Sequence, residues 1–510
     1  MFLDTRVGIL IEPLTGRSWG PGETATRRAR TMATLAEAGV TRGDRVFLHH
    51  GNTLEFFPDL LAVWCLGACA VPIDGRLTPF EVETLAETGR PRSAIVAHSA
   101  DAEVAARLGN LGVEVIDAAR AGAAPSSTIA PSRVHLDDDA LVLFTSGTTG
   151  DPKGVVHTHR SLRARWTGLR DALGTDSFAR TLCLLPTHFG HGLICNCLYP
   201  WLSGSTLHVL PPYRADLIAG LGTLIDEHRI TFMSSVPPVW RLALKLSAPP
   251  KSGSLQRVFC GSAPLSGALW ESVQQWSGTK AVFNAYGITE TGSWLAGTTT
   301  DFEPEDGLIG VPWGGVVRVL RSGDTSTPPW EAAICEAEET GHVWVNTPAL
   351  MKGYLGRDDL TERVVSGGWF VTGDIGMLDA KGRLYLRGRE REEINKGGAK
   401  LYPNDVDTVV ERHERVDDVC TFGYPDALYG ENVGMALVMK PSDEAAMLGL
   451  HEWMSRHLAQ HQLPERWYLV DEIPRTARGK VNRAVVAEAC QKARPFDMKR
   501  LLRSHRGPTD

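Results

Sequence analysis

The segment Thr145-Ser146-Gly147-Thr148-Thr149-Gly150-Asp151-Pro152-Lys153-Gly154 packs three glycines and four hydroxyl residues into ten positions. Backbone amides and hydroxyls in such a loop can wrap phosphate oxygens, and Lys153 adds a point charge. It is not a Walker A loop, because Gly154 rather than Ser or Thr follows the lysine and Pro152 blocks a helix start. A flexible surface loop is the plainer reading of a glycine-rich stretch; the density of hydroxyls argues against it. A second block, Asn284-Ala285-Tyr286-Gly287-Ile288-Thr289-Glu290, joins an aromatic ring to a Thr-Glu pair. Tyr286 can stack on a purine face, and Glu290 can hold a hard cation through oxygen. Taken alone, this block also fits a turn followed by a helix cap. Cys195 and Cys197, close to His188 and His191, have metal-ligand types, but an apolar run of buried cysteines fits them better.

The elements around these blocks alternate. Residues 23–38 read as a helix stopped by Gly39, residues 46–48 as a short buried strand, and Leu54, Phe57, Leu61 and Trp64 as the core-facing stripe of a helix. A strand at 68–72, a helix at 79–88 and a strand at 94–97 continue the pattern, which favours helices stacked on largely parallel sheets. The Gly/Ala/Pro/Ser-rich stretch 118–131 reads as a surface connection, and strand-like residues 140–144 run directly into the glycine-rich loop. Strands are expected at 205–210, 231–233, 257–260 and 383–387. A charged block at 387–396 precedes a smaller unit with a helix at 404–413 and strands at 417–423 and 433–439. The domain boundary is placed there, giving 1–389 and 390–510.

The loop at 145–154 resembles, at every fixed position, the TSGTTGxPKG signature of the adenylate-forming superfamily of acyl-CoA synthetases, carrier-protein adenylation domains and beetle luciferases. The resemblance recurs in order over nearly the whole chain. It implies an α/β fold, with a large N-terminal domain of helix-sandwiched sheets and a small mobile α+β C-terminal cap domain. Residues 284–290 resemble YGxTE, implying Thr289 near the α-phosphate and Glu290 on magnesium. Gly261, Ser262, Ala263 and Pro264 resemble the segment lining adenine and acyl group. Gly368-Trp369-Phe370-Val371-Thr372-Gly373-Asp374 resembles GWxxTGD, which makes Asp374 the ribose ligand, with Arg389 as its partner; a carboxylate suits a diol because it accepts two hydroxyl hydrogen bonds. Pro474-Arg475-Thr476-Ala477-Arg478-Gly479-Lys480 resembles the start of PxTxxGKxxR, implying that Lys480 is the catalytic lysine. Such a lysine relieves the negative charge that crowds the α-phosphorus when a carboxylate attacks. Arg391 stands at the hinge, where the family usually has Asp or Lys, and Gly398 matches the glycine that lets a pantetheine arm approach the backbone.

The family also supplies expectations for the acyl pocket. His188, Phe189, Gly190 and Ala285 fall there, with Phe189 at a gate often held by His. His188 and His191 are the nearest polar groups, each read more readily as a structural histidine. Amino-acid-activating relatives follow the gate with Asp; Gly190 leaves an ammonium without a partner, at a cost of several kcal/mol, and disfavours α-amino acids. Ala285, often Gly, implies a shorter or narrower acyl chain. The implied reaction joins a carboxylic acid to ATP with Mg2+, giving acyl-AMP and pyrophosphate, and then passes the acyl group to coenzyme A or to the phosphopantetheine of a separate carrier protein. Asn284, where many CoA synthetases have Gln, leans toward carrier-type relatives; family frequency favours CoA. An amide or nitrogen-bond ligase, a degenerate nucleotide-binding scaffold and, remotely, a luciferase-type oxidation are the competing readings.

Composition narrows the classes further. A 510-residue chain with 43% hydrophobic and 22% charged residues is ordinary for a globular enzyme, and a net charge of −7 argues against nucleic-acid binding. No apolar run of about 18 residues predicts a membrane span, and the N-terminus does not read as a secretion signal. Nine cysteines without a CxxC pair fit reduced thiols in the cytoplasm. The basic stretch 492–506 is expected to be a solvated, frayed terminus.

Overall fold

The structure is a computed structural model that describes residues 7–121, 129–145, 152–212, 214–440, 442–475 and 480–505. It is a mixed α/β architecture with sheets of fourteen, seven and five strands. Local sequence explains where the elements begin and end. The helix Pro21–Glu37 starts on a proline at its first position, and Glu23 accepts a hydrogen bond from the Gly20 N–H at 3.0 Å. Gly39, with φ +77°, turns the chain out of it. The helix Pro79–Gly89 carries a reciprocal cap in which Thr78 accepts from the Glu81 N–H while Glu81 accepts from the Thr78 N–H.

The seven-stranded sheet is parallel through Asp139–Thr145, Cys69–Pro72, Arg45–His49, Ser93–Val96 and Glu114–Asp117, with Lys153–Thr158 and Gly353–Tyr354 added antiparallel at one edge. In the fourteen-stranded sheet, Leu10–Glu12, Thr206–Val209, Arg180–Cys183, Phe232–Ser235, Arg257–Gly261 and Val282–Ile288 run parallel. Beyond Ile288 the expectation of parallel pairing ends. Ser293–Gly297, Leu308–Pro312, Leu384–Arg389, Trp369–Leu378, Gly341–Asn346 and Val316–Leu320 pair antiparallel, because helical crossovers no longer separate them.

The main core lies between the two large sheets and takes in the helices Phe56–Cys65 and His159–Leu173 through Leu60, Leu61, Trp64, Leu162 and Leu169. Ala118 and Ala121, in the stretch read as a surface connection, are buried in a short helical turn of that core. Residues 122–128 of the same stretch lie outside the described residues.

The five-stranded sheet, Ile394–Lys396, Ala399–Leu401, Val416–Asp426, Gly430–Met439 and Arg466–Leu469, pairs only within itself among the described residues. The helix expected at 404–413 is Pro403–Val410; Glu411 caps it and turns away to an ion pair with Arg241. The terminus differs from expectation as well. Met498–His505 is a helix, and Met498 and Leu501 pack into the core of this unit, since apolar residues three apart share a helix face.

Candidate active site

A cleft of about 1460 Å3 opens where the carboxyl ends of the parallel strands meet the antiparallel strands and the five-stranded unit. Its first wall comes from two neighbouring strands. Arg257–Gly261 ends in Ser262, which takes a left-handed φ of +65°, and Ser262, Ala263 and Pro264 line the cleft. Gly261 stands behind them: a Cβ there would sit 2.2 Å from the Ala285 carbonyl oxygen, so the strands can approach only with glycine. Asn284, Ala285, Tyr286, Gly287, Thr289 and Glu290 line the cleft along the adjacent strand and the turn that follows it. Asn284 turns its amide to the Leu308 carbonyl at 2.7 Å.

Tyr286, Asp374 and Arg389 form one cluster. Asp374 and Arg389 are register partners on adjacent antiparallel strands, and Arg389 Nε lies 2.7 Å from Asp374 Oδ1. The Tyr286 hydroxyl donates to Asp374 Oδ2, and Arg389 Nη1 donates to the Thr372 carbonyl at 3.0 Å. Burial and then the Asp374 carboxylate push the Tyr286 phenol well up, while Asp374 raises the Arg389 guanidinium. The phenol therefore stays a donor and the arginine a cation. Each carboxylate oxygen keeps a lone pair for a further hydroxyl donor.

Thr289–Thr291 is a tight helical turn held from beneath. His157 Nε2 reaches the Thr289 carbonyl at 2.8 Å, and Arg165 clasps the Thr291 carbonyl at 2.7 and 3.1 Å. Burial lowers His157 to about 4 and Arg165 to about 10. The turn thus rests on a neutral imidazole that donates and on a guanidinium that stays charged at neutral pH. Glu290 Oε1 accepts from the Tyr354 hydroxyl at 2.8 Å, and Oε2 has no hydrogen-bond partner among the described residues. An oxygen donor of this kind fits a hard cation such as magnesium.

The glycine-rich segment starts and ends across a strand ladder. Thr145 and Lys153 are register partners, and both line the cleft. Ser146, Gly147, Thr148, Thr149 and Gly150 lie outside the described residues. Lys153 Nζ stands 5.8 Å from the centroid of the Tyr354 ring.

Beyond these groups, Phe189, Gly190 and His191 line the cleft at the start of the π-helix His191–Leu198. His191 is held between the Ser262 hydroxyl at 2.9 Å and the Ser234 hydroxyl at 2.6 Å. Burial, and then Lys480, lower it to about 3, so it is neutral. His188 is not among the residues that line the cleft; its Nε2 lies 3.5 Å from an Asp74 carboxylate oxygen. Cys195 and Cys197 are buried within the same helical segment.

The five-stranded unit contributes Lys480 and Arg391 to the cleft. Arg475 and Val481 bridge one another at the base of the segment carrying Lys480, and Arg475 is anchored on Asp418 at 2.8 Å. Gly398 is not among the lining residues. It sits at φ +93° with open space where a Cβ would be, its N–H donating to Asn395 Oδ1 at 2.9 Å. Ion pairs tie the unit to the large sheets, among them Arg241–Glu411 at 2.7 Å, Lys245–Asp417 at 2.7 Å, and Arg412–Asp306. Tyr354 and Arg241 line the cleft too, although their local segments carry no motif chemistry that marks them in the sequence.

A layered α/β body whose cleft receives a lysine from a small α+β unit is the build of an AMP-forming acid–thiol ligase. Residues 14–355 match the AMP-binding enzyme family and residues 405–480 match the AMP-binding enzyme C-terminal domain. The chain belongs to the AMP-binding enzyme family. It is 28% identical over 475 residues to oxalate–CoA ligase of Arabidopsis thaliana, covering 89% of this chain and 90% of the relative. O-succinylbenzoate CoA synthetase from Bacillus subtilis, solved with its acyl-adenylate intermediate, superposes with a TM-score of 0.84 at 25% identity, covering 97% of each chain. The same enzyme has been solved with ATP and a magnesium ion. ATP-bound MatB from Rhodopseudomonas palustris matches with a TM-score of 0.84 at 25% identity over 96% of each chain, and apo MatB with 0.75 at 25% identity over 96% of this chain and 97% of the other.

Proposed function

We propose that the protein activates a compact carboxylic acid with ATP and magnesium and transfers the acyl group to coenzyme A, residues 1–389 forming the body and residues 390–510 a mobile cap. The observation that carries this reading is Lys480, supplied by the cap, standing in the same cleft as Asp374, Arg389, Thr289 and Glu290. In the first step Asp374, backed by Arg389 and Tyr286, binds the ribose diol. Tyr286, Ala263 and Pro264 flank the base, and Thr145, Lys153 and the loop at 146–150 hold the phosphates. Magnesium, held by Glu290 Oε2, would offset phosphate charge. Thr289 and Lys480 then bind the α-phosphate and the acid as the carboxylate oxygen attacks phosphorus and the bond to pyrophosphate breaks. Neutral His191 keeps a second positive charge away from Lys480.

The match to ATP-bound MatB exceeds that to the apo form, which supports reading this cap pose as that of the first step. The second step needs Gly398 brought to the cleft, with Arg391 near the pivot, so that a thiol attacks the acyl carbon and AMP leaves. The acid is compact because the pocket has a solid floor. Behind Phe189, His191 and Ala285, Trp294 stands 5.4 Å from the His191 ring and 4.6 Å from Phe259, and Phe259 stacks on Trp313 at 5.5 Å. A long alkyl chain would have to open that block, against the dense packing of a protein interior. Curated relatives named as CoA ligases support CoA as the acceptor.

Pyrophosphate release should be measured across an acid library, with and without CoA, with a phosphopantetheinylated carrier protein, and with amines. Short or aromatic acids giving a CoA thioester is the expected result. Preference for long-chain acids, for α-amino acids, or for an amine or carrier acceptor over CoA would overturn the corresponding part of the reading.

A further inference from the structure

We propose that Tyr354 is a positioning residue that fixes the Glu290 carboxylate so that only Oε2 faces the cation, and that its ring links this carboxylate to Lys153. The proposal rests on the reading of Glu290 as the magnesium ligand. Tyr354 is well placed for such a task because its own backbone is fixed twice. The strand Gly353–Tyr354 pairs antiparallel with Val155 and Val156, in the ladder that begins at Lys153. Its N–H also donates to Thr361 Oγ1 at 2.9 Å. The side chain is buried, and its hydroxyl reaches Glu290 Oε1 at 2.8 Å. The same short segment holds Glu290 by its backbone, the Met351 N–H donating to the Glu290 carbonyl at 2.7 Å. Both ends of the glutamate are thus referred to one rigid edge of the sheet.

The chemistry follows from that geometry. Magnesium demands nearly ideal octahedral positions and takes few carboxylate oxygens. A donor on Oε1 fixes the carboxylate plane and discourages two-oxygen binding, so the cation meets one oxygen in a set direction. Partners behind a metal ligand typically affect affinity by about 10–100-fold. A phenol carries its proton at neutral pH and the carboxylate can only accept, so the hydroxyl is the donor in this contact. The Lys153 ammonium lies over the face of the same ring, within cation–π range. One aromatic side chain therefore sets the spacing between the lysine and the carboxylate, the two charges that an ATP–magnesium complex must bridge.

Tyr354→Phe removes the hydroxyl while keeping the ring, its packing and the contact with Lys153. Binding should be read directly, by titrating Mn2+ into the full-length protein with α,β-methylene-ATP and following the free-ion signal by electron paramagnetic resonance. Glu290→Gln runs in parallel, and thermal melting of both variants checks folding. The expected result is at least a tenfold weaker Mn2+ Kd in Tyr354→Phe, with nucleotide binding in the absence of metal unchanged. A Kd within twofold of the parent in Tyr354→Phe, alongside a large loss in Glu290→Gln, overturns the positioning role and leaves Glu290 as ligand. An unchanged Kd in Glu290→Gln overturns the magnesium assignment itself. Loss of metal-free nucleotide binding in Tyr354→Phe would mark a structural role and overturn the proposal.

Discussion

If Asp374 holds the ribose, replacing it with Asn should weaken ATP binding by an amount that the cluster itself sets. In the structure Oδ1 faces Arg389 Nε at 2.7 Å and Oδ2 accepts the Tyr286 hydroxyl, so each oxygen has one lone pair left for a sugar hydroxyl. The side-chain amide introduced by Asp374→Asn would keep one acceptor and turn the other into a donor facing a donor. One charge-assisted bond to the sugar is lost, worth about 1.5–3 kcal/mol, or roughly 10–150-fold in KM for ATP at 1.4 kcal/mol per tenfold. Because the diol is remote from the reacting phosphorus, the loss falls on ground and transition state alike, and kcat should change little. Deoxy-nucleotides separate this effect from general damage. The parent enzyme should discriminate ATP from 2′-deoxy- and 3′-deoxy-ATP, and in Asp374→Asn at least one of those ratios should fall toward unity. Steady-state pyrophosphate release with all three nucleotides measures the ratios, and a melting curve reports the separate cost of leaving Arg389 or Tyr286 without its partner. Discrimination that persists unchanged in the variant refutes the ribose assignment.

Two further outcomes test other parts of the molecule. Lys480→Ala should lower kcat for pyrophosphate release by about 10^2–10^3, the usual scale for removing one transition-state donor. Thioester formation from supplied acyl-AMP should be nearly untouched, and equal loss in both half-reactions would sink the role given to Lys480. Asp405 reports on the cap: burial pushes its carboxyl up to about 6, above the ordinary 3.8, with Arg387 opposing. The unfolded chain therefore ionises first as pH rises, so stability falls between about pH 4 and 6 and stays low above it, by less than the ~3 kcal/mol of the full shift because solvent reaches about a third of the side chain. Asp405→Asn should raise Tm at pH 8 and leave it almost unchanged at pH 4, and differential scanning fluorimetry across that range checks the sign.

Much of the body was legible because its elements advertise themselves locally. The helix read at 23–38 is Pro21–Glu37, displaced toward its start by a proline that reads equally well as loop, and the buried strand read at 46–48 is Arg45–His49. The antiparallel run after Ile288 was not legible, since a short apolar strand looks the same whichever way its neighbour runs. The same limit governs the cleft. Motifs marked Tyr286, Glu290 and Asp374 one at a time, but the Tyr286–Asp374 bond spans 88 residues and the Tyr354–Glu290 bond 64. Nothing in the run Met351-Lys352-Gly353-Tyr354 signals a hydroxyl aimed at a carboxylate in another sheet. His188 and His191 show the limit most sharply. Three residues apart, they differ in no sequence feature that points one into the cleft, and the irregular turn before the π-helix decides it.

How firmly the cap is held bears directly on the two-step reading. Its hydrophobic clusters contain residues 394–502 alone, and among the described residues no cluster joins them to the body. A unit that buries its own core loses no core packing when it turns. Among the described residues, ion pairs across the boundary help to hold this pose. The Lys245–Asp417 pair is largely exposed and worth about 0.2–1 kcal/mol, because water and salt compete for both charges. Arg241–Glu411 is more enclosed, and burial raises the Glu411 carboxyl despite the arginine beside it, so part of its attraction is spent on desolvation. If Lys480 serves the adenylation step as proposed, contacts of this kind would let the cap hold that pose and leave it again within a turnover. If the proposed second step needs Gly398 at the cleft, an apolar seam of core-like size between cap and body would oppose that step.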